Sequence, residues 1–433
     1  MKGAAWRLVS LALAGITLIG LAAGCGDGKE PTATGAPATP TTAPIPGEPD
    51  AGGGGEEQAD LDRKIEEYSK AIALNPQDAV AYYNRGIAYY DKGDLDRAIA
   101  DYDQAIALKP QNGGAYYERG MAYYEKGDLD RAIADYNQGI ALDPQNALGY
   151  YGRGLAYYYK DDLDRAIADY DQAIALNPQY AKAYSDRGLA YYDKDALDQA
   201  IADYDQAIAL DPQYAIAYYN RGLACYGKDD LDQAIAEYDR AIALEPRFVR
   251  AYYYRGLAYY NKGDLDQAIT DYSQAIALDP QYAIAYLNRG STYYDKGNLD
   301  QAITDFDQAI TLDPQDALAY NNRGNVYADK GDLDRAFADY GQAVALDPQY
   351  VDAYYNRGLA YAQAGQYDQA VADFTRLLEF NPDDADAYYL RGRVYALLDE
   401  REKAISDLEQ ALELGLDPDF KAQAETTLDE LGH

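Results

Sequence analysis

The sequence predicts an all-α solenoid of antiparallel helix pairs, and three observations support that fold class. Ten prolines follow one another at intervals of 34 residues. Residues 251–280, AYYYRGLAYYNKGDLDQAITDYSQAIALDP, carry apolar side chains at helical spacing on both sides of a Lys-Gly-Asp turn. This pattern recurs through most of the chain, and a fixed period of this size indicates stacked repeats with one continuous core. The ten prolines are Pro76, Pro110, Pro144, Pro178, Pro212, Pro246, Pro280, Pro314, Pro348 and Pro382.

The repeats share a small set of constant positions when residue 79 is position 1 and Pro110 is position 32 of the first repeat. Position 4 is Tyr, position 8 is Gly and position 20 is Ala in all ten repeats. Position 11 is Tyr except at Cys225, which we expect to be a buried free thiol, and position 24 is aromatic except at Leu408. Gly at position 8 predicts a close approach of the second helix of each repeat to the first.

The turn between the two helices has its own pattern. Gly at position 15 predicts a left-handed residue after the first helix. Four repeats carry Asp there instead, so we expect strained turns at Asp161, Asp195, Asp229 and Asp399. Asp at position 16 predicts an N-cap for the second helix.

These positions resemble the tetratricopeptide repeat, which has a large residue at 4, Gly at 8, Tyr at 11, Ala at 20, an aromatic residue at 24 and Pro at 32. The resemblance covers about four-fifths of the chain. It implies a right-handed superhelix whose concave face, formed by positions 2, 5, 6, 9, 12 and 13 of the first helices, holds the ligand. One departure is constant: position 7 is Arg in every copy. Because position 23 is always acidic, we expect each Arg, for example Arg255, to pair with an acid on a neighbouring second helix.

The resemblance therefore implies a ligand groove lined by tyrosines at positions 5 and 12 and by amides at position 6. The acids at position 13 would form its edge. The predicted groove residues are Tyr83, Tyr90, Tyr117, Tyr124, Tyr151, Tyr158, Tyr192, Tyr219, Tyr226, Tyr253, Tyr260, Tyr294, Asn220 and Asn288.

This groove suits an extended peptide that is cationic or rich in proline, because Tyr offers a large contact area and a hydroxyl. Stacking on sugar rings is an alternative, and so is simple packing of the tyrosines between neighbouring helices. A clamp for a terminal carboxylate is disfavoured, since the positions that carry cations in such family members hold Tyr, Leu and acids here. Only late repeats differ, with Asn325 and Arg393 at position 9.

Residues 1–24 resemble a bacterial lipoprotein signal peptide. Lys2 and Arg7 precede an apolar run at residues 8–23, and small residues precede Cys25, the predicted lipidation site. The run is shorter than the roughly 20 residues that a membrane-spanning helix needs. An ordinary signal peptide and a lone membrane helix are the alternatives.

The remaining chain divides into four predicted parts. Residues 25–59 are the lipidated Cys and a Pro-, Thr- and Gly-rich tether, which lacks apolar periodicity. Residues 60–78 are an N-terminal half-repeat helix, residues 79–416 are ten full repeats, and residues 417–433 are a C-terminal capping helix.

Composition restricts the function further. The formal net charge of −35 argues against nucleic acid as a ligand and favours cationic partners. The single histidine is His433, so His-based catalysis and His metal sites are not expected. Residues 222–229 resemble a phosphate-binding loop, but they lie within a predicted helix and end in Asp229.

We expect no enzyme, cofactor or metal site. The sequence predicts a membrane-tethered, extracytoplasmic scaffold that binds protein or peptide partners, with a role in assembly of the cell envelope. The alternative is a cell-wall or surface-glycan binder.

Overall fold

The computed structural model describes residues 11–13, 16–18 and 54–432. Two short strands, β1 (Leu11–Leu13) and β2 (Ile16–Leu18), pair antiparallel with Leu11 opposite Leu18. They fall within the predicted signal peptide. The rest of that segment, Cys25 and most of the predicted tether lie outside the described residues.

The described remainder is helical, and two helices correspond to each 34-residue repeat. The first helices of the ten repeats are α2 (Ala79–Asp91), α4 (Gly113–Glu125), α6 (Ala147–Tyr158), α8 (Ala181–Asp193), α10 (Ala215–Gly227), α12 (Val249–Asn261), α14 (Ala283–Asp295), α16 (Ala317–Asp329), α18 (Val351–Gln363) and α20 (Ala385–Leu397). The second helices are α3 (Leu95–Leu108), α5 (Leu129–Leu142), α7 (Leu163–Leu176), α9 (Leu197–Leu210), α11 (Leu231–Leu244), α13 (Leu265–Leu278), α15 (Leu299–Leu312), α17 (Leu333–Leu346), α19 (Tyr367–Phe380) and α21 (Arg401–Leu414).

One helix stands at each end of the repeats. At the N-terminal end, α1 (Gly54–Leu74) begins before the expected start at Asp60. Glu56, Glu57 and Gln58 favour helix, which accounts for this early start. At the C-terminal end, α22 (Pro418–Glu430) begins with Pro at its first position, where the missing N–H costs nothing.

The helical part of the chain divides into two compact units, and the boundary in the sequence falls between residues 258 and 259. Among the described helical residues, the N-terminal unit covers 54–258 and the C-terminal unit covers 259–432. Within the N-terminal unit, consecutive helices from α1 to α11 pack on one another, and within the C-terminal unit those from α13 to α22 do so. The all-α solenoid of helix pairs is therefore confirmed.

The core of each repeat is a glycine of the first helix against an aromatic ring of the second. A Cβ atom built on Gly86 would lie 2.6 Å from a ring carbon of Tyr102, and one on Gly222 would lie 2.6 Å from a ring carbon of Tyr238. Both rings are 0% exposed. No larger residue fits at position 8, so the predicted close approach is confirmed. Cys225 is a buried free thiol, as expected, and burial raises its pKa to about 11.

The turns follow the pattern of position 15. Gly93 and Gly127 are left-handed, with φ of 74° and 77°. The four Asp replacements also have positive φ, between 58° and 61°, as the sequence predicted: Asp161, Asp195, Asp229 and Asp399. A residue with a Cβ atom is less stable than glycine at positive φ, so these four turns are strained and the glycine turns are not.

The predicted pairing of Arg at position 7 with the acid at position 23 is confirmed. Arg85 donates from Nε and Nη2 to the two carboxylate oxygens of Asp101, each at 2.7 Å. The third N–H group reaches back to the second helix of the preceding repeat: Arg85 Nη1 donates to Ser69, and Arg255 Nη1 to Asp239. The Arg85 guanidinium thus joins three helices and fixes their register, as a charge-assisted bidentate pair can.

Candidate ligand-binding face

Positions 2, 5, 6, 9, 12 and 13 of the first helices form the predicted binding surface, here called the first-helix face. The predicted groove tyrosines at position 12 are half-buried, and four of them, Tyr90, Tyr158, Tyr260 and Tyr294, donate their hydroxyls to acids. Tyr260 donates to Asp295 at 2.6 Å and Tyr294 to Asp329 at 2.8 Å, in each case from position 12 to position 13 of the next repeat. Because these hydroxyls are already hydrogen-bonded, a ligand would contact the rings of these tyrosines.

The same bond occurs in the N-terminal unit. Tyr90 donates to Glu125, and Tyr158 to Asp193. Tyr124 instead meets Tyr159, with ring centroids 5.6 Å apart in an edge-on arrangement. The predicted acidic edge is thus tied to the tyrosine row by hydrogen bonds that cross from one repeat to the next.

The tyrosines at position 5 divide into two groups. Tyr83 and Tyr117 are half-buried. Tyr151, Tyr219 and Tyr253 are buried, with exposures of 4%, 0% and 5%. A ligand reaches the first group directly, whereas the second group is covered by protein.

The cover is the residue at position 34, just before the next first helix. The Tyr180 ring lies 4.7 Å from that of Tyr151, and the Phe248 ring lies 4.8 Å from that of Tyr219. In the first two repeats position 34 is Asn112 or Asn146, which has no ring to place there. Tyr151 and Tyr219 therefore differ from Tyr83 and Tyr117 because of a single position outside the predicted face.

The other predicted groove residues lie on the same surface at different depths. Tyr192 and Tyr226 are half-buried. Asn220 and Asn288 are buried, with exposures of 2% and 5%.

The first two repeats combine half-exposed tyrosines with carboxylates. Burial, reinforced by the Asp91 charge, raises the pKa of Glu118 to about 7. Burial also raises the pKa of Glu125, and the hydrogen bond from Tyr90 partly offsets this shift. Glu118 lies near Tyr83 and Tyr117, and Glu125 lies against Tyr90. Together these residues form an aromatic and acidic surface, here called the repeat 1–2 patch.

The unusual residues of the late repeats are used internally. Arg393 is 7% exposed and donates from Nη1 to the Tyr389 hydroxyl and to Gln423, each at 3.0 Å. Gln423 belongs to α22, so the C-terminal helix covers this end of the first-helix face. Asn325 accepts a hydrogen bond of 2.8 Å from Tyr340.

Sequence reasoning missed the role of position 34. The signal was present, because this position changes from Asn112 and Asn146 to Tyr180, Tyr214 and Phe248 along the N-terminal unit. It lies outside the positions that the family resemblance marks as ligand contacts, and its effect depends on which neighbouring ring it meets.

Over residues 11–13, 16–18 and 54–432, no group of His, Cys, Asp and Glu side chains is placed to hold a metal ion. Within the same described segments, every helix is too short or too polar to cross a bilayer.

Comparison with protein-family models identifies the repeats. The model described as "TPR repeat" matches residues 60–93 and, in overlapping copies, 155–365, which together exceed half of the chain. Models described as "Tetratricopeptide repeat" match residues 83–147, 351–384 and 385–415. Among curated proteins, none matches the chain.

Solved structures with a similar fold are numerous. YrrB, described as a TPR protein with an unusual peptide-binding site, is 27% identical, with a TM-score of 0.38 and coverage of 43% of this chain and 96% of its own. A tetratricopeptide repeat protein from Parabacteroides merdae is 21% identical, with a TM-score of 0.45 and coverage of 58% and 99%. Yeast Tom70 is 18% identical, with a TM-score of 0.41 and coverage of 87% and 93%.

Proposed function

The chain belongs to the tetratricopeptide repeat family, and we propose that it is a scaffold whose first-helix face binds an extended, cationic segment of a partner protein. The family fold is typical of protein–protein interaction and is generally not enzymatic. The observation that carries the proposal is the repeat 1–2 patch, where half-exposed Tyr83 and Tyr117 lie near the Glu118 carboxyl group and half-buried Tyr90 donates to Glu125.

The chemistry of this patch favours a cation. A Lys or Arg side chain can lay its apolar stem along a tyrosine ring while its charged end meets a carboxylate. The Tyr90 hydroxyl already donates to Glu125, so this tyrosine presents its ring face rather than its polar tip. The net charge of −35 adds long-range attraction for a basic partner.

We further propose that the protein is anchored to a membrane through a lipid on Cys25 and acts outside the cytoplasm in assembly of the cell envelope. The support is the sequence pattern of residues 1–25 and the tether that follows it. A flexible tether of this length spans about 30 Å as a coil and about 100 Å when extended, which is enough to present the repeats away from the bilayer. Mass spectrometry of the membrane fraction tests this: a lipid-modified Cys25 supports the anchor, and an unmodified N-terminus contradicts it.

Binding is tested by titrating the full-length protein with an acetylated and amidated peptide of alternating Lys and Pro. The test variant combines Tyr117→Ala with Glu118→Gln, and the control is Asp96→Asn on a second helix, whose side chain is 85% exposed. We expect at least tenfold weaker binding for the test variant and no change for the control. Equal affinity of all three proteins, or no binding at all, would contradict the proposed site.

A cell-wall or surface glycan is the second candidate, since tyrosine rings also stack on sugars. The two ligands respond differently to salt. Binding of a cationic peptide weakens as ionic strength rises, because exposed charges are screened. Stacking of an uncharged oligosaccharide changes little. A glycan that binds with salt-independent affinity, when the Lys-Pro peptide does not bind, favours the second candidate.

The partner is identified by photo-crosslinking in cells. A photoreactive residue at half-buried Tyr90 is compared with one at Asp96 on the exposed face of α3. Protein adducts specific to position 90 support the scaffold function. The same adducts at both positions would argue that the first-helix face is not the binding surface.

A further inference from the structure

The row of position-5 tyrosines has one gap in the N-terminal unit, at Ser185. In the repeats on either side, the position-5 ring packs on the position-24 ring, with centroids 6.0 Å apart for Tyr151 and Tyr170 and 6.1 Å apart for Tyr219 and Tyr238. Repeat 4 has Ser185 in this place, so a whole phenol is missing. Ser185 is nevertheless only 1% exposed, and the gap lies beneath the surface.

The walls of this gap are polar. The Tyr214 hydroxyl lies beside Ser185 Oγ and close to the Asp186 carboxyl. In the C-terminal unit, Asn356 at position 6 donates to Asn321 at position 5 of the repeat before it, at 3.0 Å.

Asn220 and Ser185 stand in that same relation, one at position 6 and the other at position 5 of the preceding repeat. The serine side chain is too short to bridge to Asn220. By this equivalence of repeat positions, we place Asn220 at the Ser185 gap together with Ser185, Asp186 and Tyr214.

Three of these buried polar atoms make no hydrogen bond of good geometry in the part of the chain that the structure describes, although the Ser185 and Tyr214 hydroxyls lie beside each other. Among the described residues, none makes a well-formed hydrogen bond to Ser185 Oγ, Asn220 Oδ1 or the Tyr214 hydroxyl. Asn220 is 2% exposed, and an amide oxygen buried without a donor is costly. Native structures rarely leave such groups unsatisfied, and a cluster of them indicates a missing hydrogen-bond partner.

The fourth group, the Asp186 carboxyl group, can carry a negative charge. Asp186 is 5% exposed and accepts one hydrogen bond, from the Tyr151 hydroxyl at 2.7 Å. Lys182, one turn earlier on α8, acts on this carboxyl through its charge, but within the described chain the two do not form an ion pair. The Asp186 carboxylate and Asn220 Oδ1 only accept hydrogen bonds, and the two hydroxyls can also accept, so a small cation that donates several hydrogen bonds fits this set of groups.

We propose that the Ser185 gap is a pocket for a primary ammonium group, which the partner supplies as a lysine side chain. This inference rests on the proposed function and names one residue type that the bound segment contains. An ammonium has three N–H donors for Ser185 Oγ, Asn220 Oδ1 and Asp186. The slender lysine stem takes the space of the missing ring, and neighbouring tyrosines offer faces to the cation.

Tyr214 controls entry to the pocket. Its hydroxyl is buried although the residue as a whole is half-buried, so its side chain separates the gap from solvent. Tyr214 is also the N-cap residue of α10 and makes no capping hydrogen bond through its side chain in the described structure. A change of its rotamer therefore opens the gap without breaking a cap.

The direct probe is n-butylammonium, which has the stem and head of lysine. Thermal unfolding of the full-length protein is recorded with n-butylammonium chloride, with NaCl at equal ionic strength, and with n-butanol. We expect stabilisation by n-butylammonium beyond both controls. The variant Ser185→Tyr installs the ring found in adjacent repeats, and we expect it to fold and to lose this extra stabilisation.

Two results would overturn the proposal. Equal stabilisation of wild type and Ser185→Tyr by n-butylammonium would mean that the ion acts on the general acidic surface. No stabilisation of either protein would mean that the gap holds water only, which is the usual occupant of buried polar sites.

The Lys-Pro peptide separates this inference from the proposed function. We expect Ser185→Tyr to weaken its binding by about tenfold, the effect of one buried charge-assisted contact. Undiminished binding to Ser185→Tyr would remove the ammonium pocket and leave the scaffold function standing. If the wild-type protein does not bind the peptide but responds specifically to n-butylammonium, the proposed binding of a cationic peptide is contradicted and the ammonium pocket stands.

Discussion

Repeats 1 and 2 differ from repeats 3 to 5, although all five belong to the N-terminal unit and share one consensus. In the first two, position 34 is Asn, position 15 is Gly and the position-5 tyrosines are half-exposed. In the next three, position 34 is aromatic, position 15 is Asp and the position-5 residues are buried. The same backbone therefore presents an open tyrosine surface at one end and a covered one next to it.

The residue at position 34 can either cap the next helix or cover the position-5 residue. Asn146 caps the helix it precedes by accepting a hydrogen bond from the backbone N–H of Leu148, at 3.0 Å. Tyr180 and Tyr214 stand at the same N-cap position without capping through their side chains in the described structure, and their rings pack inward. A cap contributes about 1 kcal/mol, whereas a buried aromatic ring contributes more, so covering the face favours stability and leaving it open favours binding.

The largest predicted effect comes from removing a cover. Phe248→Ala deletes a ring that is 9% exposed and packed on Tyr219, and it should lower the free energy of unfolding by about 3 kcal/mol. Denaturant unfolding of the full-length protein measures this. The matched control is Asn112→Ala at the same position of repeat 1, where no ring is lost. A similar loss in both variants would show that position 34 does not act as a cover.

The opposite change should close the open region. Asn146→Tyr places a ring where it can cover Tyr117, and we expect it to weaken binding of the Lys-Pro peptide about tenfold while the protein remains folded. The control Gln145→Tyr adds a tyrosine at the neighbouring exposed position. If both variants bind as wild type does, the half-exposed tyrosines are not ligand contacts.

Asp and Gly at position 15 should differ by a smaller amount in their effect on the free energy of unfolding. Asp195 has a φ of 58°, in the region where Gly93 and Gly127 are unstrained. Asp195→Gly should raise the free energy of unfolding by about 1 kcal/mol, and Gly93→Asp should lower it by a similar amount. The pair of variants is compared by denaturant unfolding. A loss of stability in Asp195→Gly would mean that the aspartate makes a compensating contact.

The smallest predicted effect is a dependence on pH. With a pKa of about 7, Glu118 is mostly charged at pH 8 and mostly neutral at pH 6. Affinity for the Lys-Pro peptide should therefore fall about threefold from pH 8 to pH 6, and Glu118→Gln should remove this change. The isothermal titration is run at both pH values for both proteins.

Stability should respond in the other direction. The pKa of Glu118 is higher in the folded state than in the unfolded chain. Above pH 7 the buried carboxylate is charged, and its burial lowers the stability of the folded protein. Below the ordinary pKa of glutamate the carboxyl group is neutral in both states, so this destabilisation is absent. Glu118→Gln should therefore raise the free energy of unfolding at pH 8 and leave it unchanged at pH 4. A stabilisation that is equal at both pH values would indicate that charge burial is not its cause.

Much of the fold followed from the sequence because one repeat is copied many times. The contact of Gly86 with Tyr102, the pairing of Arg85 with Asp101 and the strained turn at Asp195 each depend on positions within one repeat and its neighbour. A constant pattern in sequence becomes a constant contact in space. The helix pairs, their turns and their ion pairs were predictable for this reason.

The openness of the first-helix face was not predictable in the same way. Tyr117 and Tyr219 occupy the same position and look identical in sequence, but their exposure depends on Asn146 and Phe248, which lie at the start of the next repeat. The Ser185 gap likewise arises from a substitution whose neighbours had to be located in three dimensions. Variable positions that act across a repeat boundary decide the site, and a consensus does not reveal them.

The most direct test of the open and covered regions is hydroxyl-radical footprinting of the full-length protein, with and without saturating Lys-Pro peptide. Free protein should be modified at Tyr83 and Tyr117 and protected at Tyr151 and Tyr219, and the peptide should protect Tyr83 and Tyr117. Modification of Tyr219 at the rate of Tyr117, or no protection of Tyr83 and Tyr117 by bound peptide, would contradict the assignment of the repeat 1–2 patch as the binding site.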